Sequence, residues 1–137
     1  TCGTVCYLVG ERAAGEIAYC NAGHNPPIVL KPGRAAFLKT GGAPQIAVGV
    51  AETVAYHSVS FRLGPEETLL LYTDGVTDAV NPAREMFGEK RFLALAAEVS
   101  AAKPSEAQQR IFAALTDFRG VAEQFDDITL LLFRLLR

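Results

Sequence analysis

The feature that most constrains the fold of this 137-residue chain is an apolar run that ends directly in an acidic turn, LLLYTDGVTDAV at 69–80. The segment Thr68–Thr73 is short and apolar, which is typical of a strand buried within a sheet. Asp74 follows at once, and a carboxylate desolvated at a strand end without a partner costs several kcal/mol. We therefore expect Asp74 to have a partner, which is a turn amide, a basic side chain or a metal ion.

The composition favours one folded domain. The chain is 50% hydrophobic and 20% charged with a net charge of −2, which suits a single core and argues against disorder. No apolar run approaches the roughly 20 residues that cross a bilayer. A pI near 5.7 and scattered basic residues argue against a nucleic-acid partner. Three cysteines without a secretory signal indicate reduced thiols in a cytoplasm, and the start at Thr1 suggests a piece of a longer protein.

The hydrophobic periodicity predicts one α+β domain, in which helices follow a mostly antiparallel sheet. Two hairpins, two further strands, two helices and a last strand are expected. The hairpins are 4–9 with 16–20 and 28–31 with 35–39, the further strands are Thr53–Leu63 and Thr68–Thr73, the helices are 89–100 and 105–118, and the last strand is 127–136. Ser105 and Gln108 are placed for a capping box at the second helix.

Two acidic segments lie at predicted strand ends, Asp74 in TDG and Asp126–Asp127 in FDDIT. They meet in space if their strands are neighbours in one sheet. Carboxylate oxygens suit Mg²⁺ or Mn²⁺, and Gly75 permits a sharp turn and a close approach. The alternative, favoured by spacing alone, is that Asp74 opens an Asx turn and Asp126 caps the bend before the last strand.

Other polar residues have both a functional and a structural interpretation. His24 in NAGHNPP is a metal ligand or general acid, or its ring binds backbone within a tight turn, which a lone histidine favours. Asp78 supports the acidic site or lies on the solvent side of a turn. No serine, cysteine or lysine has the setting of a nucleophile, and TGGAP lacks the Gly-Lys-Ser/Thr of a P-loop.

The cysteines offer a zinc alternative. Cys2, Cys6, Cys20 and His24 together have the donors of a Cys₃His site. Isolated cysteines are more often small core residues, which is the interpretation we favour.

Five segments in order, YCNAGHNPP, GGAPQIAVGV, LLLYTDGVTDA, MFGEKRF and FDDITLLLF, resemble the bacterial serine phosphatases of the stage II sporulation protein E type. These are a branch of the metal-dependent protein phosphatase 2C superfamily. The resemblance covers essentially the whole chain, and the combination of AGHNPP, YTDGVT and DDIT at these separations is specific. It implies an antiparallel β-sandwich flanked by helices, two Mn²⁺ or Mg²⁺ ions, and hydrolysis of phosphoserine or phosphothreonine on proteins by a metal-activated water.

The resemblance also assigns roles to individual residues. Asp74 and Asp126 are expected to be catalytic metal ligands, with Asp127 beside them in the metal site. Gly75 is expected to supply the tight turn. His24 and Asp78 are kept as supporting candidates from their positions in the sequence and not from the resemblance. The implied substrate is a phosphorylated anti-sigma-factor antagonist, and the implied regulator is an upstream sensor or receiver domain.

The chain departs from the family in its first segment. The family's first metal motif, an aspartate followed closely by glycines, bridges both ions, whereas TCGTVCYLVG contains no acid. We therefore expect residues 1–137 to be the C-terminal part of one N-terminally truncated phosphatase 2C-like domain. Alone, it should hold metal poorly, be inactive or nearly so, and self-associate as a homodimer through exposed edges. The alternatives are a non-catalytic binding module of the same fold and a zinc-stabilised structural domain.

Overall fold

The computed structural model describes residues 3–11, 15–39 and 46–135. Within these ranges the chain forms seven strands, one short 3₁₀ helix and two α-helices. The strands are β1 (Val5–Glu11), β2 (Glu16–Ala22), β3 (Ile28–Lys31), β4 (Arg34–Phe37), β5 (Val59–Arg62), β6 (Thr68–Tyr72) and β7 (Leu130–Arg134). The helices are the 3₁₀ helix Asp74–Val76, α1 (Gly88–Val99) and α2 (Pro104–Arg119).

The strands form two sheets, with the orders β1-β2-β5 and β4-β3-β6-β7. Every pairing between neighbouring strands in these sheets is antiparallel. The sheets face each other across a core built on Ile17, Leu63 and Leu69. The predicted antiparallel β-sandwich is therefore confirmed, and both hairpins form as expected from their alternating sequences.

The two α-helices cover the outer face of the four-stranded sheet. Phe92 of α1 and Ile111 of α2 are buried against Leu70 and Tyr72 of β6, and the Tyr72 and Phe92 rings meet edge to face at 4.8 Å. Because one face of β6 meets the other sheet and its opposite face meets the helices, the strand is apolar throughout rather than alternating. In the described ranges, no helix has the length and apolar character needed to cross a membrane.

The predicted strand Thr53–Leu63 is wrong over its first half, since only Val59–Arg62 forms a strand. The apolar positions change phase between Tyr56 and Val59. A strand cannot keep both sets on the same face, because its side chains alternate with a period of two. Pairing with β2 therefore begins at Val59, which lies opposite Tyr19.

The predicted capping box at the second helix is also wrong. Pro104 occupies the first turn and Lys103 is the N-cap, without a side-chain hydrogen bond. Proline is favoured at this position because its missing N–H is not needed there, and this places Ser105 inside the helix. The Gln108 side chain instead donates to the Leu130 carbonyl at 2.9 Å and ties α2 to β7.

Two polar contacts fix the C-terminal end of α1 to the sheet. The Gly33 amide in the β3–β4 turn donates to Ser100 Oγ at 2.8 Å. The Arg134 guanidinium donates to Thr68 Oγ1 at 2.9 Å and to the Ala102 carbonyl at 3.0 Å. A cation beside the last carbonyls of a helix also interacts favourably with the helix dipole.

Strand β1 lies at the edge of its sheet and presents apolar side chains to solvent. Val5, Tyr7 and Val9 alternate along it and are all exposed. Self-association through this edge stays a prediction of the sequence.

We expect Leu70→Ala to lower the free energy of unfolding by about 2–5 kcal/mol, because it leaves a cavity in a fully buried site. Leu131→Ala is the matched control, since Leu131 lies on the adjacent strand and is 57% exposed. Urea unfolding followed by circular dichroism measures both. Equal losses for the two variants would contradict the burial of β6.

Candidate metal centre

The two acidic segments lie side by side at one end of the four-stranded sheet. Strands β6 and β7 are antiparallel neighbours, and Tyr72 pairs with Leu130. The chain leaving β6 therefore passes the chain entering β7. Asp74 comes directly after β6, and Asp126 and Asp127 come shortly before β7.

Thr73 joins the two segments through three hydrogen bonds. Its hydroxyl donates to the Asp127 carbonyl at 2.8 Å and accepts from the Thr129 amide at 2.9 Å. Its own amide donates to the Thr129 carbonyl at 3.2 Å. The sequence motif YTDGVT contains Thr73, but sequence reasoning gave it no role.

Gly75 is required by the close approach of these segments. A Cβ at this position would overlap the Asp127 carbonyl oxygen and lie 3.3 Å from the Asp126 carbonyl oxygen. Gly75 does not have the positive φ found at six other glycines of the described chain. The backbone of the second acidic segment approaches this glycine closely. Gly75 is therefore required because a side chain has no room there, and not because of an unusual φ.

Asp74 is exposed, so its carboxylate does not carry the desolvation cost that would make a partner necessary. The strand ends at Tyr72, and the 3₁₀ helix that follows turns the carboxylate into solvent. Its backbone carbonyl accepts from the Asp78 amide at 2.8 Å and from Thr77 Oγ1 at 3.0 Å. No other described residue donates a hydrogen bond to its carboxylate, so the Asx-turn alternative has no support at Asp74.

The Asp126 segment is held from its other side by α2. Arg119 Nη1 donates to Gln124 Oε1 at 2.6 Å, and Gln124 Nε2 donates to the Asp126 carbonyl at 2.9 Å. Asp126 Oδ1 accepts from the Asp127 amide at 2.7 Å, which agrees with the alternative that this side chain stabilises the bend. Both aspartates are exposed. Sequence reasoning missed Arg119 and Gln124, which belong to no motif.

The two supporting candidates have different environments. Asp78 is exposed and lines a cavity of about 20 Å³ together with Gly75 and Asp126. His24 is held elsewhere: the Asn21 side chain bonds its amide and its carbonyl, at 2.7 and 2.8 Å, and its Nδ1 lies 3.2 Å from Thr4 Oγ1. The expected hydrogen bond from its ring to backbone is wrong, since the ring contacts a hydroxyl. These contacts give His24 no link to the acidic segments.

The acidic side chains are of the chemical type that binds divalent cations. Exposed carboxylates without a basic partner are hard oxygen donors, and Mg²⁺ typically keeps several waters and takes one or two protein carboxylates. In the part of the chain that the structure describes, no group of three His, Cys, Asp or Glu side chains is arranged to hold a metal. Asp74 and Asp126 thus offer carboxylate oxygens of the kind that binds Mg²⁺, and the described residues do not complete a group of three such side chains around them.

The cysteine geometry argues against the zinc alternative. Cys6 lies opposite Asn21 and Cys20 lies opposite Tyr7 in the β1–β2 register, so the two thiols point to opposite faces of the sheet. Burial, and secondarily the neighbouring Cys20, raises the pKa of Cys6 to about 11. This opposes the thiolate form that binds metal. Cys2 lies outside the described residues.

Comparisons with known proteins agree with this architecture. The family model of stage II sporulation protein E (SpoIIE) matches residues 1–136. Protein IcfG of Synechocystis sp. (strain ATCC 27184 / PCC 6803 / Kazusa) is 36% identical over 130 residues, which are 93% of this chain and 20% of IcfG. The SiaA-PP2C domain of Pseudomonas aeruginosa has 26% identity and a TM-score of 0.79, over 98% of this chain and 52% of that one.

A second solved structure contains the RsbU and RsbW domains of Rv1364c from Mycobacterium tuberculosis. It has 28% identity and a TM-score of 0.75, over 94% of this chain and 35% of that one. The sequence thus spans about half the SiaA-PP2C chain and smaller shares of the Rv1364c chain and of IcfG. The fold and these matches define the class, a part of a phosphatase domain of the protein phosphatase 2C (PP2C) type. The chain belongs to the SpoIIE family, and the resemblance seen in its motifs is confirmed.

We expect Gly75→Ala to destabilise the fold by about 1–3 kcal/mol, the usual cost of overpacking, because the new methyl must displace the Asp127 backbone. Gly3→Ala is the control, since a Cβ there meets nothing within 4 Å. Thermal unfolding and amide chemical shifts at 126–129 provide the measurement. A Gly75→Ala variant with unchanged stability and shifts would contradict the close approach.

We expect Cys6 to react with iodoacetamide about tenfold more slowly at pH 8 than an unperturbed thiol. A rise of its pKa from 9.0 to about 11 depletes the thiolate, and the higher nucleophilicity of a more basic thiolate recovers part of the rate. The measurement follows the labelling of Cys6 in the unaltered chain by peptide mass spectrometry, because Cys20 contributes to the raised pKa, with the urea-unfolded chain as the reference. Equal rates in the folded and unfolded states would contradict the buried setting of Cys6.

Proposed function

We propose that this chain forms part of a metal-dependent protein serine/threonine phosphatase domain, in which Asp74 and Asp126 hold a divalent cation. The observation that carries this proposal is the juxtaposition of Asp74-Gly75 and Asp126–Asp127 at the paired ends of β6 and β7. Membership of the SpoIIE family supports phosphatase chemistry. A solved relative, the phosphatase domain of SpoIIE from Bacillus subtilis, is described as Mn presoaked, which supports manganese as the first ion to test.

In this proposal the protein holds two carboxylates in a fixed relation before metal binds. Thr73 fixes the Asp127 backbone through its hydroxyl, and Gln124 fixes the Asp126 carbonyl. Asp127 contributes its backbone carbonyl to this scaffold and its exposed carboxylate to the negative charge of the site. When bound, two Mn²⁺ or Mg²⁺ ions supply the positive charge that acidifies a water molecule and stabilises the phosphoryl oxygens.

The residues around the site support direct attack by water. Thr73 has the hydroxyl that joins the two segments, and its oxygen already donates one hydrogen bond and accepts another. It is therefore poorly suited to act as a nucleophile. In the proposed reaction the water oxygen forms the new bond to phosphorus, the bond from phosphorus to the serine or threonine oxygen breaks, and that oxygen takes up a proton.

The substrate and the setting are proposed from the family. A phosphorylated anti-sigma-factor antagonist is the protein substrate, and a sensor or receiver domain is the regulator. The RsbU and RsbW domains that occur together in Rv1364c support a role in a regulatory pathway. Because the described residues offer no group of three metal ligands, we propose that a further ligand comes from a longer chain and that these 137 residues alone are inactive or nearly so.

We expect Mn²⁺ to bind the 137-residue chain weakly in isothermal titration calorimetry, and we expect Asp74→Asn and Asp126→Asn to remove this binding. Asp117→Asn is the matched control, because it removes an exposed carboxylate on α2. Each variant is first checked for folding by circular dichroism. Equal Mn²⁺ affinity in Asp126→Asn and Asp117→Asn would contradict the assignment of the ligands.

A failure to bind Mn²⁺ has to be repeated in a longer chain that contains this segment. Absence of Mn²⁺ binding there, with the fold intact, would favour a non-catalytic binding module. Unfolding of the metal-free Asp74→Asn variant would show that the carboxylate has a structural role.

A further inference from the structure

A second cavity lies between β4, an edge strand of the four-stranded sheet, and β5, an edge strand of the three-stranded sheet. Its volume of about 390 Å³ falls within the range of about 300–1,000 Å³ that is typical of small-molecule sites. Val29 and Ala36 line it from the four-stranded sheet, and Phe61 lines it from the other sheet. The body of the cavity is therefore apolar and belongs to both sheets.

The rim of this cavity is strongly basic. Lys31, Arg34, Lys39 and Arg62 line it, and Glu67 is the acid among the lining residues. Glu67 is already paired, because Lys31 Nζ lies 2.7 Å from its Oε1. Three cations are thus left without an ion pair to another described residue, in a chain whose net charge is −2. An excess of positive charge at the mouth of an apolar cavity attracts an anion.

The β3–β4 hairpin arranges the apolar and basic parts in order. Val29 pairs with Ala36, and Lys31 pairs with Arg34 two residues further along. Residues two apart on a strand share a face, so the apolar pair and the cationic pair line the same side of the hairpin, with the cations at its tip. The tip is anchored by the hydrogen bond from the Gly33 amide to Ser100.

We propose that this cavity binds a small amphipathic anion, with an apolar body between the sheets and a carboxylate, sulfonate or phosphate at the basic rim. The site is distinct from the acidic centre. Lys31 and Glu67 lie near the start of β6, whereas Asp74 follows its end, and the strand between them spans about 13 Å. An inorganic anion would leave the apolar lining uncovered, so an apolar body is part of the proposed ligand.

The test uses octanoate as the probe and 1-octanol as its uncharged counterpart, each titrated into the 137-residue chain by calorimetry at low salt. We expect octanoate to bind more tightly than 1-octanol and its affinity to fall as salt is added, because the rim charges are exposed. Arg34→Ala should raise the Kd of octanoate by about two- to fivefold, the range of an exposed ion pair. Arg34→Ala/Arg62→Ala should raise it further.

Two more variants separate the apolar and electrostatic contributions. Ala36→Phe fills the cavity without changing charge and should remove the binding of both probes. Arg110→Ala removes an exposed cation from α2, away from the cavity, and should leave the Kd unchanged. Thermal unfolding of each variant confirms that the fold is intact.

Three results would overturn the proposal. They are equal affinities for octanoate and 1-octanol, unchanged octanoate binding in a folded Ala36→Phe variant, and equal effects of Arg34→Ala and Arg110→Ala. None of these measurements depends on metal or on phosphatase activity, so they are independent of the proposed function.

Discussion

The antiparallel register between β6 and β7 is the constraint on which the acidic site depends. Pairing of Tyr72 with Leu130 makes the two chain segments beyond the sheet pass each other. Arg134 pairs with Thr68 in this register and donates to its hydroxyl and to the Ala102 carbonyl, and a shift of one residue would turn Arg134 to the opposite face and break these bonds. Thr73 then extends the pairing beyond the ladder through its hydroxyl.

Strand β6 contributes side chains to both hydrophobic cores of the molecule. Leu69 packs between the two sheets, while Leu70 packs against the helices. Because each face of β6 is buried, its position is determined from two sides. The acidic centre at one end of the strand and the basic cavity near its other end therefore share a rigid support. They differ in charge and in lining, which is why we treat them as separate sites.

Periodicity in the sequence predicted most of the architecture. Apolar residues at helical spacing placed the buried faces of α1 and α2, and alternating residues with Pro-Gly and glycine-rich turns predicted both hairpins. The failures arose where a stronger constraint replaced the local signal. Pro104 took the first position of α2 and displaced the predicted cap, and the change of phase before Val59 shortened a strand.

The acidic site was predictable only in part. The positions of Asp74 and Asp126 at strand ends suggested that they meet, but the exposure of Asp74 depends on where the 3₁₀ helix begins. The link from Arg119 through Gln124 to the Asp126 backbone depends on the orientation of α2 against the loop, which no sequence pattern encodes. The family resemblance supplied the metal chemistry, which spacing alone did not favour.

Asp127 and the loop that precedes it are held by different numbers of contacts. The Asp127 carbonyl is bonded to the Thr73 hydroxyl directly beside the β6–β7 ladder. The loop before it exposes Val121 to 95% and Phe125 to 78%, and few buried contacts hold such a loop. Asp126 thus stands between a segment that is bonded to the sheet and a loop with few buried contacts, and Gln124 bonds its carbonyl from the loop side.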